Sequence, residues 1–291
     1  MIFEILGIVF IAWVLLSSKR SRADGKLIKD VHPYRKLLLC ISPSRHESSV
    51  YYDFSVNCEN LEKFLEKNKD DHNSKLINYI LFAAKLALEK NPELNVFCSG
   101  NRLYKRNGVH ATFTIKNDLQ KKESKVSVRK LNLSKLGTFE EFCKKTNESV
   151  SFERSSKEGH GEKKFKFFAS LPKFILLPVV KFASFLDNYN LLPFWFYKED
   201  GFYSSVVITN VGSFKMDPGH HHLYEWGNCS LFMMVGQKED RVIVEEGVQK
   251  VRKVLPIRIT FDERSQDGLT AMEGLKTFIK VLENPEEFIK N

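Results

Sequence analysis

No two of the five cysteines (Cys40, Cys58, Cys98, Cys143, Cys229) are spaced C-x-x-C. An odd count without that spacing argues against a disulfide framework or a structural zinc site and fits a reducing compartment. A dense Arg/Lys tract is missing too, although the formal net charge is +9. Basic residues spread along the chain suit phospholipid headgroups or a phosphorylated cofactor better than nucleic acid, which is not expected as a partner. There is no H-E-x-x-H, no internal repeat and no low-complexity tract. What is present is 291 residues with 43% hydrophobic content, enough for one large domain or two small ones with a real core.

Met1 to Leu16 is apolar apart from Glu4, and Lys19, Arg20 and Arg22 follow. A helix of sixteen to eighteen residues reaches about 24–27 Å, slightly short of a ~30 Å hydrocarbon core. Charge after the apolar run and the lack of an A-x-A site favour an uncleaved anchor over a signal peptide. The division expected is a transmembrane anchor at 1–18, a basic linker at 19–32, and a domain at 33–291. By the positive-inside rule this is a single-pass membrane protein with its main domain in the cytosol.

Apolar runs predict strands at Leu37–Ile41, Tyr51–Val56, Val96–Cys98, Arg102–Tyr104, Val109–Ile115 and Lys125–Leu131. Further strands are predicted at Ser204–Asn210, Leu231–Val235, Val242–Glu245 and Val254–Phe261. Helical spacing predicts Leu61–Lys67 (capped by Asn57 or Asn60), Lys75–Lys90 (capped by Asn73 or Ser74), and Thr270–Leu282. Thr138 with Glu141 forms a capping box ahead of a helix Phe139–Val150. Ser155–Lys164 reads as a charged loop. The stretch 165–197 is crowded with phenylalanine and bordered by lysine, and Pro178 is expected to kink or interrupt an apolar helix Phe174–Leu186. Such a segment suits a helix lying in a membrane interface; the plainer alternative is packing between subunits.

Ile259-Thr260-Phe261-Asp262-Glu263-Arg264-Ser265-Gln266-Asp267-Gly268, followed by a helix, resembles the D-H-R-x-x-D-G signature of the 2-oxoacid dehydrogenase acyltransferases and the H-x-x-x-D-G of chloramphenicol acetyltransferases. Pro92-Glu93-Leu94-Asn95, and Val207-Ile208-Thr209-Asn210-Val211-Gly212 with Val235-Gly236, resemble further family segments in the same order. The resemblance implies an α/β, chloramphenicol-acetyltransferase-like two-layer sandwich of a mixed sheet with helices, here with an N-terminal transmembrane helix. It also implies a homotrimer whose active sites lie between subunits. One subunit gives a histidine base, and its neighbour gives a hydroxyl for the tetrahedral intermediate. Thr209 falls on the hydroxyl position, and Asp267 on the aspartate that orients an arginine. Arg264 is kept, and Gly268 is expected to permit the turn into the helix. Glu263 stands where the histidine belongs. An ordinary glutamate, with a pKa near ~4.3, is a poor base for a thiol or alcohol unless burial raises it; the alternative is an ion-paired structural group. No lipoyl domain precedes the core, which suits a standalone membrane-attached relative.

His220-His221-His222 offer a replacement base, His221 or His222, with Glu225 or Glu263 holding the ring tautomer. A metal site is a weaker alternative, because adjacent histidines rarely point at one ion. The plainer alternative is a loop whose rings pack with Tyr224 and Trp226. Two functions stay open. One is an acyltransferase that uses acyl-CoA as co-substrate, with no tightly bound cofactor or metal, and a lipophilic acyl acceptor drawn from membrane lipid. The other is a non-catalytic scaffold or acyl-lipid-binding protein.

Overall fold

The computed structural model describes residues 2–68, 74–116, 126–155, 166, 168 and 170–289. Asn73, Lys125, Phe165 and most of the loop expected at Ser155–Lys164 lie outside the described residues.

Among the described residues ten strands form two sheets. The main sheet runs β2 (Ser49–Asn57), β10 (Val248–Asp262), β8 (Leu231–Val235), β7 (Val206–Asn210), β5 (His110–Lys116), β6 (Val126–Asn132), with β9 (Glu239–Glu245) paired to the first half of β10. It is mixed: β7 runs parallel to both β5 and β8, and the other pairs are antiparallel. A second, antiparallel sheet joins β1 (Gly25–Leu27), β4 (Arg102–Arg106) and β3 (Val96–Ser99). Gly100 and Asn101 turn β3 into β4 with φ of +54° and +57°. This is the left-handed region that glycine and asparagine tolerate best.

Four helices cover one face of the main sheet: α3 (Glu59–Lys67), α4 (Leu76–Lys90), α5 (Phe139–Ser155) and α8 (Gly268–Glu283), numbered with the helices introduced below. The strands alternate as a half-covered sheet requires. Val206, Ile208, Met233, Val235, Leu255, Ile257, Ile259 and Phe261 point into the helical core. Their neighbours Val207, Phe232 and Met234 point to the opposite face, where Leu223 and Cys229 cover them. The capping box holds: Glu141 N–H donates to Thr138 Oγ1 (3.2 Å) and Thr138 N–H to Glu141 Oε2 (3.4 Å). Helix α4 starts differently from expectation. Ser74 bonds to Asn68 O, and it is Asn78 Oδ1 that accepts from Lys75 N–H (2.7 Å).

Three expectations are corrected. Leu37–Ile41 is not a strand but the end of α2 (Pro33–Ile41), which Pro33 opens at the first turn and His32 Nδ1 caps by accepting from Tyr34 N–H. A short apolar run fits either element, and proline at the first helical position decides this one. The segment read as a linker is built into the domain. Residues Gly25–Leu27 pair with β4, and the Arg22 side chain is 1% exposed. Lastly, α1 (Ile2–Ser18) has 17 residues, and among the described residues no helix is long and apolar enough to cross a membrane. At 1.5 Å per residue α1 reaches about 26 Å, under the ~30 Å of a hydrocarbon core.

Helix α6 (Lys173–Asn188) continues through Pro178, and α7 (Phe194–Tyr197) follows it. The C-terminal ends of α1 and α6 meet. Asn190 Nδ2 donates to Ser17, Arg20 and Ser21 carbonyls, and Arg22 Nη2 pairs with Asp187 Oδ1 at 2.7 Å. From this junction both helices present apolar side chains outward: Ile8, Ile11 and Trp13 on α1, and Phe174, Leu177 and Phe182 on α6.

Candidate functional site

Sheet register fixes where the candidate residues sit. Thr209 pairs with Met234, Met234 with Arg258, and Arg258 with Asp53. This row lies on the face away from the helices, and so does the adjacent row Val207, Phe232, Thr260, Tyr51. The loop between β7 and β8 is laid across these rows. Arg258 Nη1 donates to Pro218 O, His220 Nε2 is 3.5 Å from Asp53 Oδ1, and Thr260 Oγ1 donates to His221 O. The His221 ring lies flat on Phe232, centroids 3.9 Å apart and planes 2° apart. His221 therefore stands one row from Thr209 on the same face, within about 10 Å by strand spacing.

The histidine tautomers follow from their partners. His221 Nδ1–H donates to His222 O (2.7 Å), and His222 Nδ1–H donates to Leu223 O (2.9 Å). A carbonyl only accepts, so Nδ1 carries a proton in both rings, and in a neutral ring the lone pair is then on Nε2, the form a general base requires. Backbone carbonyls, rather than Glu225 or Glu263, hold these rings; Glu225 Oε1 accepts instead from His46 N–H (2.9 Å). Burial holds the His221 pKa below its ordinary 6.5, only partly offset by the bond to His222 O, so the ring is neutral at pH 7. Tyr224 packs against both rings, at 5.4 and 5.1 Å, and His46 meets His222 edge-on at 5.9 Å. Among the described residues no cluster of three or more His, Cys, Asp or Glu side chains could hold a metal ion.

Glu263 is elsewhere. It is exposed at the end of β10, where its N–H donates to Ser48 O (2.9 Å). It lies five residues beyond the Thr209 row and two strands across, roughly 19 Å from Thr209 within one chain. Within the chain the nearby arginines Arg45 and Arg264 pair with Asp262 and not with Glu263.

The motif around Glu263 is braced from within. Arg264 grips Asp262 through Nε (2.9 Å) and Nη2 (2.8 Å), and its Nη1 reaches Ser42 and Pro43 carbonyls. Gln266 is fully buried and donates to Leu94 O (2.6 Å). Asp267 does two jobs. Oδ1 caps α8 by accepting from Thr270 N–H (2.8 Å), and Oδ2 pairs with Arg35 at 3.0 Å. The hydrogen bond from Thr270 is the largest cause of its lowered pKa, with Arg35 adding to it. No local signal in the sequence marks the Arg35–Asp267 pair, because the two residues are 232 positions apart. Gly268 is not needed for the turn: its φ is not left-handed, and a Cβ there would meet nothing within 4 Å. Gly212 is different, since a Cβ there would come within 2.1 Å of Gly236 O.

Arg264 and Arg45 also border a cavity of about 350 Å³, closed by Glu225 and Trp226 of the histidine loop on one side and by Val180 and Ser184 of α6 on the other.

No curated protein sequence matches the chain. Solved structures do. A dihydrolipoamide acetyltransferase from Azotobacter vinelandii is 14% identical, with a TM-score of 0.59 over 90% of this chain and 94% of that one. A protein described as a probable dihydrolipoamide acetyltransferase from Listeria monocytogenes is 14% identical, with a TM-score of 0.58 over 92% and 97%. A chloramphenicol acetyltransferase is 15% identical, with a TM-score of 0.51 over 91% and 100%. Residues 198–290 match the profile of the 2-oxoacid dehydrogenases acyltransferase catalytic domain. That C-terminal third carries the Thr209 strand, the histidine loop and the Glu263 turn, and the chain as a whole has the chloramphenicol-acetyltransferase-like fold of the dihydrolipoamide acetyltransferase cores.

Proposed function

We propose that the protein is a membrane-attached acyltransferase in which His221 replaces the family histidine as general base. The observation that carries this reading is the tautomer of His221. Its Nδ1–H is tied to a carbonyl, its ring is kept neutral by burial, and it stands on the same sheet face as Thr209. His221 Nε2 would take the proton from an acceptor hydroxyl, amine or thiol as that atom attacks the carbonyl of acyl-CoA or another thioester. Thr209 Oγ1–H would donate to the oxyanion of the tetrahedral intermediate, in the same chain or across a trimer interface. The thiolate of coenzyme A then leaves and takes up the proton that His221 carried. His222, with the same tautomer but more exposure, is the alternative base. Glu263 has no role in this scheme.

Membrane attachment would come from α1 and α6 lying in the interface rather than spanning it, with the domain on the cytosolic side. The apolar outer faces of both helices support this. The cavity behind α6 lies between that helix and the histidine loop, and its Arg45, Arg264, Asp187 and Glu225 would suit the polar end of an acceptor rather than its hydrocarbon.

The test is thioester cleavage by the full chain in vesicles, using short- and long-chain acyl-CoA with a lipid extract as acceptor. Lipid-dependent CoA release should fall by about 10²-fold or more in His221→Ala, fall less in Thr209→Val, and persist in Glu263→Gln. Absence of CoA release from wild type would favour the second reading, a non-catalytic scaffold or acyl-lipid-binding protein, for which the missing family histidine speaks.

A further inference from the structure

At the foot of α1 the chain forms an open recess of about 520 Å³ that the proposed chemistry does not use. Lys19, Lys29, Lys36 and Arg102 border it, while Ile28 and Leu39 form part of an apolar floor. No carboxylate lines it. Among the described residues Lys19, Lys29 and Lys36 make no ion pair, and Arg102 makes only neutral bonds, from Nε to the Tyr104 hydroxyl and from Nη2 to Asn188 O. Four cations therefore border one concavity whose described lining holds no carboxylate. Four like charges repel one another, and an anion placed among them relieves that repulsion.

The position narrows the anion. Lys19 follows directly on the last residue of α1, the helix whose apolar face is proposed above to lie in the membrane interface. Lys36 sits on α2, whose Tyr34, Leu37 and Ile41 are 70%, 58% and 65% exposed. Basic side chains around an apolar floor, flanked by outward apolar residues on two helices, match a phosphate attached to a hydrocarbon better than a free ion. We infer that this recess binds the phosphate headgroup of an anionic phospholipid and seats the domain on the membrane. The inference rests on the membrane attachment proposed above, and not on any catalytic activity.

The test is vesicle flotation of the full chain on phosphatidylcholine, with and without phosphatidate. Phosphatidate should strengthen binding in a salt-sensitive way. Lys29→Glu with Lys36→Glu should abolish that gain, a loss of at least about twenty-fold since each lysine near a charged leaflet contributes roughly a factor of five. Lys144→Glu with Lys145→Glu removes the same charge from exposed positions on α5 and should keep the gain. Millimolar inorganic phosphate or coenzyme A should not compete. Equal losses in both double variants would reduce the effect to net charge and overturn the site. Competition by coenzyme A or phosphate would make it a soluble-phosphate site and overturn the lipid. Binding to phosphatidylcholine alone, with no gain from phosphatidate, defeats this inference but leaves membrane attachment standing. Failure to bind any vesicle defeats both, while thioester cleavage is read separately.

Discussion

Arg22 shows how much one side chain can hold. Its guanidinium pairs with Asp24 (2.9 Å) and Asp187 (2.7 Å), donates to Ser99 Oγ, and lies near the rings of Phe97, Tyr104 and Tyr197. Burial alone would lower its pKa, but Asp187 and Asp24 outweigh burial and raise it. The two carboxylates respond unequally. Burial wins at Asp187 and lifts its pKa, whereas at Asp24 the pull of Arg22 and Arg106 overcomes burial and lowers it. Arg22→Ala would leave two buried carboxylates short of a cation and should cost about 3–5 kcal/mol in urea unfolding. His110 gives a pH signature. Burial, with Lys130 and Arg106 nearby, pushes its pKa from 6.5 down to about 4. The folded protein therefore refuses a proton that the unfolded chain accepts. Stability should be complete above pH 6.5 and should fall as pH drops from 6.5 toward 4. Melting temperature against pH measures this, and His110→Gln should flatten the slope within that window. The same residue-level reading predicts that Gly268→Ala leaves melting unchanged or slightly raised, because the position has open space and ordinary φ.

Among the elements, those with two agreeing signals were legible in the sequence. The helix from Phe139 had a capping box as well as its pattern, and the β3–β4 turn had Gly100 followed by Asn101; both stand in the structure. Where only hydrophobicity spoke, it misled. The run Leu37–Ile41 is apolar, yet only Leu39 is buried in α2. Its apolarity reflects a surface rather than a core, and strand pairing had no claim on it. The charged stretch after α1 read as a linker because nothing local reveals that Arg22 meets Asp187, a partner 165 residues away. This has a consequence for truncation. Deleting residues 1–18 removes an outward-facing helix and should leave the domain folded. Deleting residues 1–22 also takes away Arg22 and the carbonyls of Arg20 and Ser21 that Asn190 holds. The shorter chain should melt well below the longer one. Equal melting would mean that the Arg22 cluster contributes nothing net.

At the scale of the whole molecule the fold was readable because three short segments keep their order, whereas what lies beside Thr209 within one chain was not. Glu263 drew attention by standing where a histidine belongs; register places it far from Thr209 of its own chain, and it is His221 that folding carries onto that chain's Thr209 face. Only pairing between distant strands decides this, and no spacing in the sequence encodes it. Assembly raises a last question at this scale. The ribbon of β9 and the first half of β10 runs past the core, with Val242 opposite Val251 and Val244 on the same face, 59%, 66% and 69% exposed. A two-stranded ribbon with one bare apolar face is barely stable in water by itself and gains by burying that face. In the trimer proposed for this chain, a neighbouring subunit is the natural cover. Val244→Lys with Val251→Lys should therefore shift the detergent-solubilised protein from trimer to monomer in sedimentation, while far-UV circular dichroism of the monomer stays unchanged. If Thr209 works with a base on the neighbouring chain, activity should disappear with the trimer; if it works with His221 of its own chain, the monomer should retain it. A trimer that survives both substitutions would move the interface away from this ribbon.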